Sequence, residues 1–220
     1  MNSVEPLLEG FRRFQQDYFS PEQNLYESLR HGQHPATLVI GCCDSRVHPP
    51  ALMSSQPGEM FVVRNVANLV PPYNAGNQHA SVAAALEFAV LSLNVERIIV
   101  MGHAGCGGIR ALMQRSTPAD SALTRWLDIA APARDFVYRN HSHEDEPQRL
   151  RRCEQAAIMV SLDNLLSYPW LAQKVQAGEL VLDGWYFDLN DGALWGYDAA
   201  GKAFIPLVCP LQPRQQASAA

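Results

Sequence analysis

Two stretches of the chain are built alike. They are Thr37-Leu-Val-Ile-Gly-Cys42-Cys43-Asp44-Ser45-Arg46 and Ile98-Ile-Val-Met-Gly102-His103-Ala-Gly-Cys106-Gly107-Gly108. Each begins as a short apolar run rich in β-branched residues and ends at a glycine. Such runs read as buried strands that stop at a tight turn. Strand and helix patterns alternate around both, which predicts an α/β domain with a mostly parallel sheet flanked by helices. In open sheets of that kind, sites form outside the C-terminal strand ends. That is where Cys42, His103 and Cys106 stand.

Two thiolates and an imidazole suit zinc, a borderline-soft ion. Structural zinc sites close with four such ligands, whereas catalytic ones keep a position open for water. Only three obvious ligands are offered here, with the carboxylate of Asp44 two residues beyond the first. Taken singly, each of the three reads more readily as a buried cysteine or a core histidine; together in two glycine-rich turns they read as a metal site.

The 220 residues are 47% hydrophobic and 18% charged, an ordinary globular balance with a net charge of −5. No basic footprint for nucleic acid or an anionic membrane is present. No apolar run approaches a membrane span. Met1-Asn-Ser-Val-Glu-Pro lacks a signal-peptide pattern. A cytoplasmic protein is expected. The five cysteines are odd in number and irregular in spacing, so a disulfide framework is not expected.

Outward from the two site strands, residues 3–19 place Val4, Leu7, Leu8, Phe11, Phe14, Tyr18 and Phe19 on one helical face. Residues 1–30 therefore read as a helical arm that packs on a partner subunit, or else on its own core. Ser20-Pro21-Glu-Gln23 reads as an N-cap and capping box opening a second helix. A short helix is expected from Pro49, a strand over Met60–Arg64, and helices over Gln78–Leu93, from Ile109, over 119–131, 148–167 and 170–177. Leu180–Leu182 and Trp185–Leu189 read as strand, and Asn190-Asp-Gly192 as a hairpin turn leading to an added antiparallel strand. Residues 212–220 read as a frayed tail. The whole chain, 1–220, reads as one domain.

Cys42-x-Asp44-Ser-Arg46, followed after a long gap by Gly102-His103-x-x-Cys106-Gly-Gly108, resembles the β-class carbonic anhydrases, in the manner of the plant and cyanate-operon enzymes. Gln56–Phe61, Val63–Pro72 and Glu87–Val90 carry the likeness through a block from about Gln33 to Gly108, and Gly184-Trp185 extends it weakly. The resemblance implies reversible hydration of CO2 to bicarbonate and a proton by a zinc-bound hydroxide. One zinc per subunit would be held by Cys42, His103 and Cys106.

By the same resemblance Arg46 holds Asp44, which either orients the hydroxide or swings onto zinc as a fourth ligand. Gln33 would donate to a substrate oxygen. The N–H of Gly107, at a helix start, would be a second donor. Phe61, Val66 and Phe88 match an apolar CO2 pocket, with Phe88 where plant members carry Tyr; as ordinary core residues they read equally well. In the family the pocket spans two subunits, so a homodimer or higher even oligomer is implied. A regulatory bicarbonate site of some relatives needs a Trp, an Arg and a Tyr where this chain has Val39, Arg64 and Phe187, so that site is expected to be absent.

Cys43 should face away from Cys42 and pack as a small hydrophobe. His141 and His143, beside Glu144, Asp145 and Glu146, read as a solvated acidic loop rather than a metal site. His48, Tyr73 and His79 are candidate proton shuttles. The glycine turn after Met101 fits neither GxGxxG nor a Walker loop, and Cys42 to Arg46 is too short for a phosphatase loop. Hydration of CS2 or COS, or a non-catalytic zinc scaffold, remain the alternatives.

Overall fold

The computed structural model describes residues 4–21, 24–73 and 80–211. The chain divides into two compact units, Met1–His34 and Pro35–Ala220.

The first unit carries α1 (Glu5–Phe19) and α2 (Leu25–Leu29). No residue of α1 is buried, and Leu7 and Phe11 on its apolar face are 76% and 62% exposed. Rings join the two helices, with Phe19 stacked on Tyr26 at 4.7 Å between centroids. The second helix opens at Leu25 behind Asn24, not at Pro21, because Ser20 is extended (ψ 154°) and ends α1 instead. Gln23, read as its capping partner, lies outside the described residues, as do His79 and the 212–220 tail.

The second unit is built on a six-stranded sheet. The strands are β1 (Thr37–Cys42), β2 (Met60–Asn65), β3 (Arg97–His103), β4 (Val181–Asp188), β5 (Ala193–Asp198) and β6 (Ala203–Val208). Their order is β2-β1-β3-β4-β5-β6. The first four run parallel and the last two antiparallel. β1 and β3 sit inside the parallel part and are buried along nearly their whole length, which is why both read as continuous apolar runs rather than alternating ones.

The two segments read as separate strands are one strand, β4. Gly184 does not interrupt it but receives a helix: a Cβ there would lie 2.9 Å from Ile158 Cγ2. The Asn190-Asp191-Gly192 turn closes the β4–β5 hairpin as expected. The Gly192 N–H donates to the Asp188 carbonyl at 2.9 Å, and Gly192 takes φ +72°. β6 was not expected. Its Pro206 cannot donate to a ladder, and the sheet tolerates it only because β6 is an edge.

Around the sheet lie α3 (Pro49–Leu52), α4 (Ala80–Glu87), α5 (Gly107–Gln114), α6 (Ala122–Leu127), α7 (Ala131–Asn140), α8 (Glu146–Leu166) and α9 (Pro169–Gln176). α4 runs into a π-turn over Phe88–Ser92. α8 begins two residues before the position read from its periodicity, behind an Asp145–Gln148 capping box. The 119–131 helix divides at a 3-10 turn, after which α7 continues to Asn140 from a Pro-bearing first turn. Ile158, Leu162 and Leu165 of α8 close the main core with Leu38, Ile40, Ile98, Val100 and Tyr186. None of the described helices is long and apolar enough to cross a membrane.

Candidate metal centre

β1 ends on Cys42 and β3 on His103, and the two strands are hydrogen-bonded neighbours. Past His103 the chain reverses through Gly105 (φ +67°), a left-handed turn that favours glycine. Cys106 then stands as the N-cap of α5. The result is a buried group: one ligand atom each of Cys42, His103 and Cys106, all within 4.8 Å of one another. No other such group occurs among the described residues.

The ring of His103 is oriented by its own backbone. Nδ1 lies 3.0 Å from the carbonyl oxygen of Ala104. A carbonyl only accepts, so Nδ1 carries the proton and Nε2 keeps a lone pair. That Nε2 is buried without a hydrogen-bond partner. An orphaned imidazole nitrogen beside two sulfurs is the donor set of a borderline-soft dication.

The thiols are tuned together. Hydrogen bonding from Cys106 holds Cys42 well below the ordinary thiol range, and it outweighs the burial that opposes ionisation. The same pairing, with burial, holds the Cys106 proton on. The backbone N–H groups of Asp44 and Ala67 favour the Cys42 thiolate; those of Gly108 and Ile109 favour the Cys106 thiolate. A dication between the sulfurs would supply the charge that removes the second proton.

Asp44 faces Arg46. The guanidinium reaches both carboxylate oxygens, Nε to Oδ1 at 2.9 Å and Nη2 to Oδ2 at 2.8 Å, while the Arg46 N–H adds a third contact at 3.0 Å. Arg46 holds the Asp44 carboxyl well below the usual carboxylate range. Asp44, read also as a metal ligand, is not part of the three-residue group in this arrangement. Arg64 donates to the carbonyls of Cys42, Asp44 and Val47 at 3.0, 2.8 and 2.8 Å, which ties the turn after β1 to β2.

A family model described as carbonic anhydrase matches residues 37–194. Beta carbonic anhydrase 3 of Arabidopsis thaliana is 38% identical over 204 residues, covering 90% of this chain and 79% of that protein. The chain belongs to the β-carbonic anhydrase family. A carbonic anhydrase of Synechocystis is 34% identical, covering 92% of this chain and 74% of that one. Among solved structures, the β-carbonic anhydrase CcaA superposes with a TM-score of 0.87 at 34% identity, covering 92% and 98% of the two chains. The single α/β domain with its mostly parallel sheet is the fold of these enzymes.

Of the second-unit residues read as part of the site, Val66 and Gly107 lie beside the ligand group and Phe61 does not. Val66 follows β2 and packs against the cluster that contains Cys42 and Cys106. With Val82, Leu123 and Trp126 it lines a cavity of about 530 Å³. Phe61 and Phe88 pair with each other, ring centroids 5.9 Å apart. Phe61, however, stands opposite Leu38, at the other end of β1 from Cys42. Gly107 opens α5, and a Cβ there would meet nothing within 4 Å. Gln33 is an exposed residue of the first unit.

Other readings are corrected or narrowed. Cys43 is exposed rather than packed: β1 ends at Cys42, and although the Cys43 N–H still donates to the Asn65 carbonyl at 2.9 Å, its side chain meets no core there. His48 caps α3, its Nδ1 accepting from the Ala51 N–H at 3.4 Å. Tyr73 is 52% exposed and turns its ring to Tyr168. His141 pairs with Glu144 at 3.0 Å, which Arg152 also engages, so this loop is an ion-pair cluster. Sequence reading missed Glu154 and Tyr186, both buried under the Cys106 turn.

Proposed function

We propose that this chain catalyses the reversible hydration of CO2 to bicarbonate and a proton, with Cys42, His103 and Cys106 holding one Zn²⁺ per subunit. The observation that carries the reading is the buried, unpartnered Nε2 of His103 facing two paired sulfurs. Bound there, zinc would supply the Lewis acidity that ionises a water near neutral pH.

The chain's own groups do the rest. Asp44, kept ionised by Arg46, accepts a hydrogen bond from the attacking oxygen and turns its lone pair towards CO2. Because Asp44 is held by three donors of Arg46, the Arg46-paired station is the one carried forward, not the fourth-ligand station. Gln33 and the Gly107 N–H hold the product oxygens. Val66 supplies an apolar wall for CO2.

Phe61 and Phe88 belong to the reading as the partner-facing part of the pocket. Their distance in register from Cys42, and an α1 with no buried residue, support a homodimer or higher even oligomer in which residues 1–30 form an arm on the partner. A tetrameric neighbour at 26% identity points the same way. The Arabidopsis and Synechocystis relatives favour a plant-type subtype. Five free cysteines, two of them ligands, favour a reducing, cytoplasmic setting.

The deciding experiment is stopped-flow CO2 hydration by zinc-loaded protein, stepped from about pH 7 to 9, where a metal-bound water titrates. Rapid hydration that climbs with pH is expected. No hydration across that range, with zinc content confirmed, overturns the CO2 reading, and the same protein would then be assayed with CS2 and COS.

A further inference from the structure

Glu154 sits in the middle of α8, only 3% exposed, and the proposed mechanism gives it no task. It lies on the helix face that also buries Ala157, Ile158 and Ser161. A carboxyl among apolar side chains is costly unless its oxygens are hydrogen-bonded. Both are. Oε1 accepts from the backbone N–H of Cys106 at 2.9 Å, and Oε2 from the hydroxyl of Tyr186 at 2.8 Å. Tyr186 lies opposite Gly102 in the β3–β4 register and is itself buried.

The N–H that Glu154 receives has a particular standing. Cys106 is the N-cap of α5. The donors at a helix start have no partner in their own helix, and in a capping box the N-cap N–H is met by a Glu or Gln at the third helical position. Here that position is Ile109, which has no acceptor. A carboxyl from a different helix takes its place, 48 residues along the chain.

We infer that Glu154 is a positioning residue for the metal centre: it clamps the Cys106 N–H, with Tyr186 fixing its second oxygen, and sets the backbone angle at which the Cys106 sulfur meets the metal. The inference rests on Cys42, His103 and Cys106 being the zinc ligands. Groups that orient ligands from behind typically change metal affinity by about 10–100-fold when lost.

The test compares the parent with Glu154→Leu/Tyr186→Phe and with Glu154→Gln. The double variant replaces the hydrogen-bonded pair by apolar groups of similar size, so the fold keeps its packing while the Cys106 N–H loses its acceptor. Glu154→Gln keeps an oxygen for that N–H and an amide N–H for the Tyr186 oxygen. Two quantities are read on each: zinc affinity by competition with a chelator, and the thiolate-to-metal charge-transfer band of the Co²⁺-loaded protein. Metal-free melting temperature reports the fold.

Expected are about 10–100-fold weaker zinc binding and a shifted Co²⁺ band in the double variant, with Glu154→Gln close to the parent. A folded double variant with parental affinity and band overturns the clamp. Should the double variant not fold, Glu154→Gln decides: parental metal binding supports the clamp, and a tenfold loss overturns it. A parent that binds no zinc removes the metal reading, and the clamp falls with it.

Discussion

Arg46 closes on Asp44 as a fork on a carboxylate, with Nε to Oδ1 at 2.9 Å and Nη2 to Oδ2 at 2.8 Å, and its Nη2 also reaches the Gly105 carbonyl at 3.3 Å. One side chain thus bridges the turns after both site strands. A lysine has the charge but not the fork. Arg46→Lys should lower kcat/KM by about 100-fold, the scale of a misplaced catalytic group, and leave zinc content unchanged. Loss of zinc in this variant would mean that the pair holds the metal rather than the reacting oxygen.

The end of β1 separates two adjacent thiols, Cys42 buried and Cys43 exposed. Cys42→Ser should abolish stable zinc binding, because a thiolate of the proposed zinc site is lost. Cys43→Ser should retain about one zinc per chain. Zinc content by atomic absorption after dialysis decides between them, and equal losses would place the metal elsewhere.

Arg64 spends its guanidinium on the carbonyls of Cys42, Asp44 and Val47. Val39 is buried and, with Phe187, packs into the smaller core on one sheet face. Neither offers a hydrogen bond to an anion. Bicarbonate should therefore inhibit without cooperativity. A sigmoidal inhibition curve that Arg64→Ala flattens would show a second bicarbonate site.

Asp188 accepts from Arg151 Nη1 at 2.6 Å and from the N–H and amide of Asn190. Burial opposes its ionisation, but the Asn190 donors and Arg151 outweigh burial and hold the carboxyl below its ordinary value. A depressed folded value stabilises the fold above the unfolded pKa, about 3.9, and that contribution is lost as pH falls through the lower folded value. Asp188→Asn should melt lower than the parent at pH 7, and the gap should narrow with acid. Melting curves that stay parallel down to about pH 3 would deny Asp188 this role.

Gly184 leaves no room for a side chain, since a Cβ would lie 2.9 Å from Ile158 Cγ2 and 3.0 Å from Leu162 Cδ1. Gly184→Ala should destabilise the protein by about 1–3 kcal/mol through overpacking, read by denaturant unfolding. An unchanged midpoint would mean that α8 rides more loosely than its packing indicates.

What the sequence announced, and what it withheld, follows from the range of each interaction. Cys42, His103 and Cys106 were legible because two β-branched runs end at glycines and carry them to the C-terminal ends of neighbouring central strands. β6 was not, because Pro206 argues against a strand unless the strand is known to be an edge. α7 was missed because Pro132, which opens it, reads as a break. Cys43 was misplaced because alternation was carried one residue past the strand's end. Glu154 had left a signal: a charge four residues after Leu150 and four before Ile158, on the apolar stripe of a helix. Its meaning needed the 48-residue separation to Cys106, which no local pattern contains.

Gly102 and Gly184 lie on adjacent strands, and Ile158 fills the space above both. Glu154 is one helical turn before Ile158, so the seating depth of one sets the reach of the other. Any residue that raised α8 off these glycines would draw Glu154 away from Cys106 by the same displacement. On the inferred clamp, helix-to-sheet thickness and the aim of Cys106 are a single coordinate. Changes made for stability along this seam would be read out at the metal, and a search for tolerated substitutions at the two glycines should find the site itself as the constraint.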